Sequence, residues 1–425
     1  MLDPYLDKFE RMHQQTLYPL LCEADRAFIK EIAFKYRFSF QDLKIVSDLA
    51  RDLAMWGGQT LSELWSLVES ETSLNAAEQL QQRKKRLLSL LNKKREALCA
   101  EEKSYGEGFA KAPPSPRLDL VEEVSSKKIF GDCPVYSDKT LCCGLKTIDA
   151  VQNCGFACSY CTIQTFYGDH RKILFDGDLK EKLRSIEVDP NRFYHFGTGQ
   201  SSDSLMWGNS FGILDNLCEF AADHPNVLLE FKTKSANVDY FKNHTIPKNV
   251  VCSWTLNSEA IIRNEEHFTS SLNDRISAAE VVAARGVKVA FHFHPMIYYK
   301  GWDSEYPAII ERLLKTFVPA QISFISMGSV TFIKPVIQEI RRRGGITKIL
   351  QMNFSSDPLG KLTYTDEIKL KLFKCLYSAL EAWHKKVFIY LCMEKPEIWD
   401  ALFGAHYQNN QKFHDALCTA ALKGF

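Results

Sequence analysis

The sequence predicts a mixed α/β chain: a partial (β/α)6 barrel with an N-terminal helical region and a C-terminal α/β extension. Three observations predict it. The first hundred residues carry Leu, Ala, Glu, Lys and Arg at helical spacing with few β-branched runs. A stretch rich in Gly, Pro and Ser follows, and beyond it short β-branched segments alternate with longer amphipathic ones.

The helical region, residues 1–105, reads as helices over 24–36, 40–55 and 61–71, with Gly57-Gly58 as an interruption and Ser39 and Thr60 as candidate caps. Over 74–99, Leu80, Leu87, Leu91 and Leu98 form a stripe between Arg83-Lys84-Lys85-Arg86 and Lys93-Lys94-Arg95. A solvated face is the commoner meaning of such basic runs, and a nucleic-acid contact is the other. Residues 106–118 contain Pro113-Pro114, which cannot continue a helix, and read as a linker. Over 119–345 strands are expected at 146–151, 193–197, 227–233, 249–255, 287–294 and 321–326. Helices fall between and after them at 179–186, 211–222, 238–243, 258–265, 275–285, 306–316 and 334–343. Six βα steps imply a barrel or an open curved sheet whose ligand sits at the carboxyl ends of the strands. The extension, 346–425, reads as a strand at 348–354, a helix at 364–385, a strand at 387–392 and a helix at 403–425.

At 425 residues, 45% hydrophobic and 25% charged, the chain has the proportions of folded protein, which excludes disorder and collagen. A net charge of +1 supplies no global field toward nucleic acid or an anionic membrane. No window approaches the ~18 apolar residues of a membrane span, and the first residues lack a basic segment followed by an apolar one. A cytoplasmic protein without a membrane partner is expected.

The 13 Cys are an odd number in a long chain, so a disulfide framework is not expected. Cys154, Cys158 and Cys161 stand at C-x3-C-x2-C spacing, a triplet that chance would produce with a frequency on the order of one in a hundred. It follows the first expected barrel strand, at the ligand-binding edge. Zinc wants four protein ligands in a closed structural site, which Cys142 or Cys143 would complete; an iron–sulfur cluster tolerates a non-protein ligand on one iron.

This triplet after the first barrel strand, with Tyr160 before its last Cys, resembles the radical S-adenosylmethionine (SAM) superfamily. Within it, residues 151–335 are similar to the spore photoproduct lyase family. The likeness rests on Cys158-x-Tyr-Cys161-x-x-Gln-Thr165, Gln200-Ser-Ser-Asp203, Thr233-Lys234 with Val238-Asp239, and Thr255-Leu-Asn-Ser258. It continues through Thr269-Ser-Ser-Leu-Asn-Asp-Arg275, Pro295, Gly301-Trp302 and Lys334-Pro335. The resemblance implies a [4Fe–4S] cluster on Cys154, Cys158 and Cys161, with SAM chelating the fourth iron. Ser202, Lys234 and Thr255 would contact the methionine part of SAM, and Tyr160 would lie beside it. It also implies reductive cleavage of SAM to a 5′-deoxyadenosyl radical, carbon–carbon lyase chemistry on a DNA lesion, and a reductant such as flavodoxin or ferredoxin.

Two positions depart from the family. Its hydrogen-donating Cys is Gln200 here, and its Tyr after the third cluster Cys is Thr162. The basic and aromatic DNA-gripping hairpin of the family also has no clear match in 362–425. Cys392, at the end of a C-terminal strand, is the candidate replacement thiol, although a buried Cys is usually a small hydrophobe. Strand parity turns Cys252 away from the site if Thr255 faces it. His292 and His294 share a strand face and are candidates for a structural pair or for substrate contact, while Tyr298, Tyr299 and Trp302 suit packing or base stacking. A radical SAM enzyme on an RNA base, protein or cofactor is one alternative. A non-enzymatic, zinc-stabilised nucleic-acid-binding protein using the basic helix is another.

Overall fold

The computed structural model describes residues 3–423 except 72–78, 107–108, 110–116, 135 and 168–170. Most of the expected linker therefore lies outside the described residues. Contacts divide the chain into two compact units, one of residues 1–111 with 334–353 and one of 112–333 with 354–425.

The first unit is helical: Pro4–His13, Glu23–Tyr36, Phe40–Trp56, Leu61–Glu71, Leu80–Ala100 and Lys334–Arg343. Ser39 and Asp42 form a reciprocal capping box, and Gly57 ends the helix that it opens in the left-handed conformation (φ +66°). Thr60 and Glu63 cap the next helix in the same way. The leucine stripe is offset from the expected one. Leu80 is 45% exposed, whereas Lys84, Leu87, Leu91 and Cys99 are buried. The basic residues are spent inside the unit: Arg83 pairs with Glu69 at 3.0 Å, Lys84 with Asp42 at 3.0 Å, Lys94 with Glu71 at 2.7 Å and Arg95 with Asp52 at 2.9 Å. The helix Lys334–Arg343, expected in the barrel series, packs here because Arg341 binds the buried Asp52 through Nε at 2.7 Å and Nη2 at 2.8 Å. Residues 348–354, expected as a strand, form turns, because Ile349, Leu350 and Met352 are buried as core side chains without a ladder partner.

The second unit is built on one eight-stranded sheet of β1 (Phe130–Asp132), β2 (Lys146–Ile148), β3 (Tyr194–Thr198), β4 (Val227–Thr233), β5 (Val250–Thr255), β6 (Lys288–Met296), β7 (Ile322–Ser329) and β8 (Phe388–Leu391). They lie in sequence order, parallel from β2 to β8, with β1 antiparallel at one edge. The six parallel strands β2–β7 are the expected barrel steps, and the extension adds the seventh, β8. Nearly every residue of β4 to β7 is buried, as a parallel sheet covered on both faces requires. An isolated antiparallel bridge from Leu141 to Glu394 joins the loop after β1 to the residues after β8, tying the two sheet edges together. The final segment is two helices, Pro396–Phe403 and Asn410–Lys423, rather than one, because Gly404 stops the first in the left-handed conformation (φ +78°). No helix of the described residues is long and apolar enough to cross a membrane.

Side chains of one parity meet inside the curve of the sheet. Glu230 on β4 accepts from His195 Nε2 at 2.8 Å and His292 Nε2 at 2.6 Å, and from Ser253; Ser326 lies 2.7 Å from His292 Nδ1. His292 is thus a hydrogen-bonded structural histidine, and Cys252, of opposite parity to Ser253, is fully buried core.

Asp52→Ala should lower the stability of the helical unit by about 3 kcal/mol or more, since it leaves Arg341 and Arg95 without their buried counter-charge. Urea denaturation followed by circular dichroism checks this; a loss below about 1 kcal/mol contradicts it.

Candidate active site at the carboxyl edge of the sheet

The cysteine loop has almost no regular structure, and its shape comes from a few local devices. Asn153 enters it in the left-handed region (φ 73°), with its side-chain oxygen accepting from Cys154 N at 2.9 Å and its amide donating to Lys172 O at 3.0 Å. Gly155 lies close under Met206, Leu118 and Trp207, whose side chains would have to shift to admit a Cβ there. Ala157–Cys158 then pairs antiparallel with Glu266–His267, and Ser159 N donates to Glu265 O at 2.8 Å.

Tyr160 is buried and its hydroxyl donates to Glu266. Lys234 Nζ lies 3.8 Å from Cys158 Sγ and 5.0 Å from the centre of the Tyr160 ring. Ser202 Oγ accepts from Trp207 Nε1 at 2.9 Å; Thr255 is buried and its carbonyl accepts from Arg275 at 2.8 Å. Asp203 joins these parts: its carboxylate accepts from the backbone of Leu205 and Met206, from Thr233 Oγ1 at 2.7 Å and from Lys234 N at 2.7 Å. The loop carrying Ser202 is thereby fixed to the end of β4 that carries Lys234. In sequence Asp203 is only the last residue of Gln200-Ser-Ser-Asp203, and the fold alone supplies its partners.

Burial pushes the Cys154 thiol well up, with Asp203 adding to the rise, and pushes Cys158 up to about 12 against the pull of Lys234. Burial would push the Lys234 ammonium down, but a Cys158 thiolate and the Glu266 carboxylate outweigh it and hold it above its usual value. Buried thiols such as Cys154 and Cys158 suit a cationic centre, which stabilises thiolates directly. The donor set, three sulfurs on one loop beside a cation, fits an iron–sulfur cluster with one open iron. Among the described residues no three His, Cys, Asp or Glu side chains are already arranged as a metal site.

A cavity of 340 Å³ opens beside this loop. Tyr160, Cys161, Thr162, Ile163 and Phe166 line one side; Gln200, Lys232, His294, Thr331, Lys361 and Met393 line the rest. Gln200 and Thr162, the two positions of departure, thus both face it. Lys232 and Lys361 were missed from sequence, although Lys232 shares strand parity with Glu230 and Lys234. The His294 ring lies over Gly328, where a Cβ would come within 3.0 Å, and burial together with Lys232 pushes its pKa down to about 3. Cys392 does not line the cavity, but its neighbour Met393 does. Burial raises the Cys392 thiol, and Cys142, Cys133, Lys232 and Glu394 are its electrostatic neighbours. Cys142 and Cys143 therefore group with Cys133 and Cys392 rather than with the triplet. Tyr299 packs through a 2.6 Å bond to Ser258, and Tyr298 against Trp302 and Tyr364.

A curled parallel sheet with a three-cysteine loop after its first parallel strand is the architecture of the radical SAM class. Within it, the chain belongs to the spore photoproduct lyase family, whose model matches residues 146–368, just over half of the chain. It is 25% identical over 166 residues to the spore photoproduct lyase of Clostridium acetobutylicum, covering 38% of this chain and 49% of that protein. Against the Geobacillus sp. enzyme it is 24% identical over 232 residues, covering 52% and 68%, and against that of Bacillus subtilis 27% over 165 residues, covering 37% and 47%. The chain thus spans about half the length of two of these curated relatives. A solved spore photoproduct lyase complexed with dinucleoside spore photoproduct has the same fold, with a TM-score of 0.56 at 22% identity over 64% of this chain and 82% of that one. A mutant form with bound AdoMet and the same dinucleoside gives a TM-score of 0.53 at 20% identity over the same shares.

His292 and His294 are held neutral by burial, against an ordinary value of 6.5. The unfolded chain therefore binds more protons below pH 6.5, and stability falls as the pH drops through that value toward the depressed folded values, by up to about 1.4 kcal/mol per pH unit per histidine. Urea unfolding at pH 7.5 and 5.5 should show the loss, and His294→Gln should reduce it; an unchanged pH dependence in that variant contradicts the assignment.

Proposed function

We propose that the chain is a radical SAM enzyme of the spore photoproduct lyase type, acting in DNA repair with an external reductant such as flavodoxin or ferredoxin. Cys154, Cys158 and Cys161 would hold a [4Fe–4S] cluster, and Tyr160, Ser202, Lys234 and Thr255 would bind SAM. When bound, cluster and SAM supply one-electron cleavage of SAM and a 5′-deoxyadenosyl radical able to take hydrogen from a substrate. The observation that carries the reading is that the cysteine loop, with Tyr160 and Cys161, forms a wall of a cavity at the carboxyl edge of the strands.

The side chains divide the work. The Lys234 ammonium suits the SAM carboxylate, a charge-assisted pair that nearby hydroxyls extend without adding charge. Lys232 and Lys361 bring positive charge to the cavity, and neutral His294 offers one donor and one acceptor to a base or sugar. Gln200 cannot return a hydrogen atom as a thiol does, so we assign that step to Cys392.

A second reading, radical SAM chemistry on an RNA base, protein or cofactor, is favoured by Gln200 and Thr162 both lining the cavity. The deciding experiment is turnover of SAM with UV-irradiated DNA, followed by restored thymine and by deuterium entering 5′-deoxyadenosine. Repair supports the first reading; SAM cleavage without repair supports the second. Colourless, zinc-containing protein that never cleaves SAM removes both.

Replacing Cys154, Cys158 or Cys161 by Ala should abolish the cluster's visible absorbance after anaerobic reconstitution. Gln200→Cys should retain it and raise any lyase turnover several-fold; loss of the cluster in that variant contradicts the placement of Gln200 in the substrate cavity.

A further inference from the structure

Beneath the cysteine loop lies a buried charged group to which the sequence motifs assign no task. Glu266 is 1% exposed. Its Oε1 accepts from the Tyr160 hydroxyl and from Asn257 Nδ2 at 3.3 Å. Its Oε2 lies 2.7 Å from an Arg275 nitrogen, an ion pair from which water is excluded on both sides. Other Arg275 N–H groups donate to Thr255 O at 2.8 Å, Ser270 O at 2.9 Å and Thr269 Oγ1 at 2.6 Å, which fixes the guanidinium beside the carboxylate. Asn257 is fixed in turn by Pro295 O at 3.1 Å and by the Tyr306 hydroxyl at 2.8 Å.

Such a group is a poor way to stabilise a fold, because apolar side chains of the same volume do as well without the desolvation cost. What it does supply is a fixed acceptor under one side chain of the site. The Tyr160 hydroxyl is tied to Glu266, the ring carries the Lys234 ammonium 5.0 Å from its centre, and the same ammonium stands 3.8 Å from Cys158 Sγ. Backbone pairing of Glu266 with Cys158 holds the carboxylate and the cysteine loop in one frame.

We infer that Glu266 is a positioning residue for SAM: through the Tyr160 hydroxyl it fixes the aromatic ring beside Lys234, and so sets where that ammonium meets the carboxylate of the bound cofactor. This rests on the proposed reading of the cysteine triplet as cluster ligands and Lys234 as a SAM contact. Glu266→Gln keeps the shape but removes the charge that holds the hydroxyl, and Tyr160→Phe removes the hydroxyl but keeps the ring. If one acts through the other, their effects do not multiply.

The test is a double-mutant cycle on the full chain, reconstituted anaerobically, with SAM affinity measured by calorimetry and the SAM-induced change in the electron paramagnetic resonance spectrum of the reduced cluster as second readout. Each single variant should bind SAM about tenfold more weakly at full iron content, the double variant should lose the same tenfold rather than a hundredfold, and all three should show the same altered spectrum. Glu266→Asp, which keeps the charge, should restore part of the affinity. If Glu266→Gln folds poorly, Glu266→Asp takes its place in the cycle. Unchanged SAM affinity in the Glu266 variant, or multiplicative losses, overturns the inference alone. Failure of the unaltered chain to bind iron and SAM overturns the cluster reading and this inference with it.

Discussion

The site depends on one short piece of backbone pairing, Ala157–Cys158 against Glu266–His267. A loop of turns has backbone groups that its own bonds only partly satisfy, and a buried loop cannot leave the rest bare. Here they are satisfied by the segment that ends the helix Glu259–Glu265, which follows β5. The loop after β2 is thus registered on an element three strands further along the sheet. The mouth of the curved sheet becomes one object, and the thiols, Tyr160 and Lys234 keep their places relative to each other because β4 and β5 do.

This explains what the sequence could and could not disclose. The sheet was legible because its signal is periodic: β-branched runs such as Val227–Thr233 and Val250–Thr255 recur at βα spacing, and parity alone put Cys252 in the core and His292 and His294 on one face. The cysteine triplet was legible because ligand spacing is local. Glu266 and Asp203 were not, since an acidic residue announces nothing until the groups that donate to it are known, and those come from Tyr160, Arg275, Thr233 and Lys234. The leucine stripe misled for a related reason: Lys84 buries its stem and ends on Asp42, while Leu80 stays exposed.

Near-neutral composition conceals an uneven distribution of charge. The basic helix Leu80–Ala100 spends Arg83, Lys84, Lys94 and Arg95 on carboxylates of its own unit, which removes most of the positive face that composition suggested. The cavity beside the cysteine loop does the reverse: Lys232 and Lys361 line it, and no carboxylate does among the described residues. A field invisible in the sum of charges is therefore concentrated where a substrate would lie, in surroundings less able than bulk water to screen it.

The same cavity shows what the departures from the family change. At Gln200 and Thr162 its wall presents an amide and a hydroxyl, neither of which gives up a hydrogen atom as a thiol does. Pro134 and Met393 line the same wall, and each follows in sequence a cysteine of the group Cys133, Cys142, Cys143 and Cys392. Met393 holds a left-handed backbone (φ 57°), which costs a residue with a Cβ roughly 1 kcal/mol or more and persists only where its surroundings enforce it. At that position a thioether, rather than the thiol one residue earlier, lines the cavity. Any hydrogen transfer from Cys392 to a molecule in the cavity would therefore have to pass Met393.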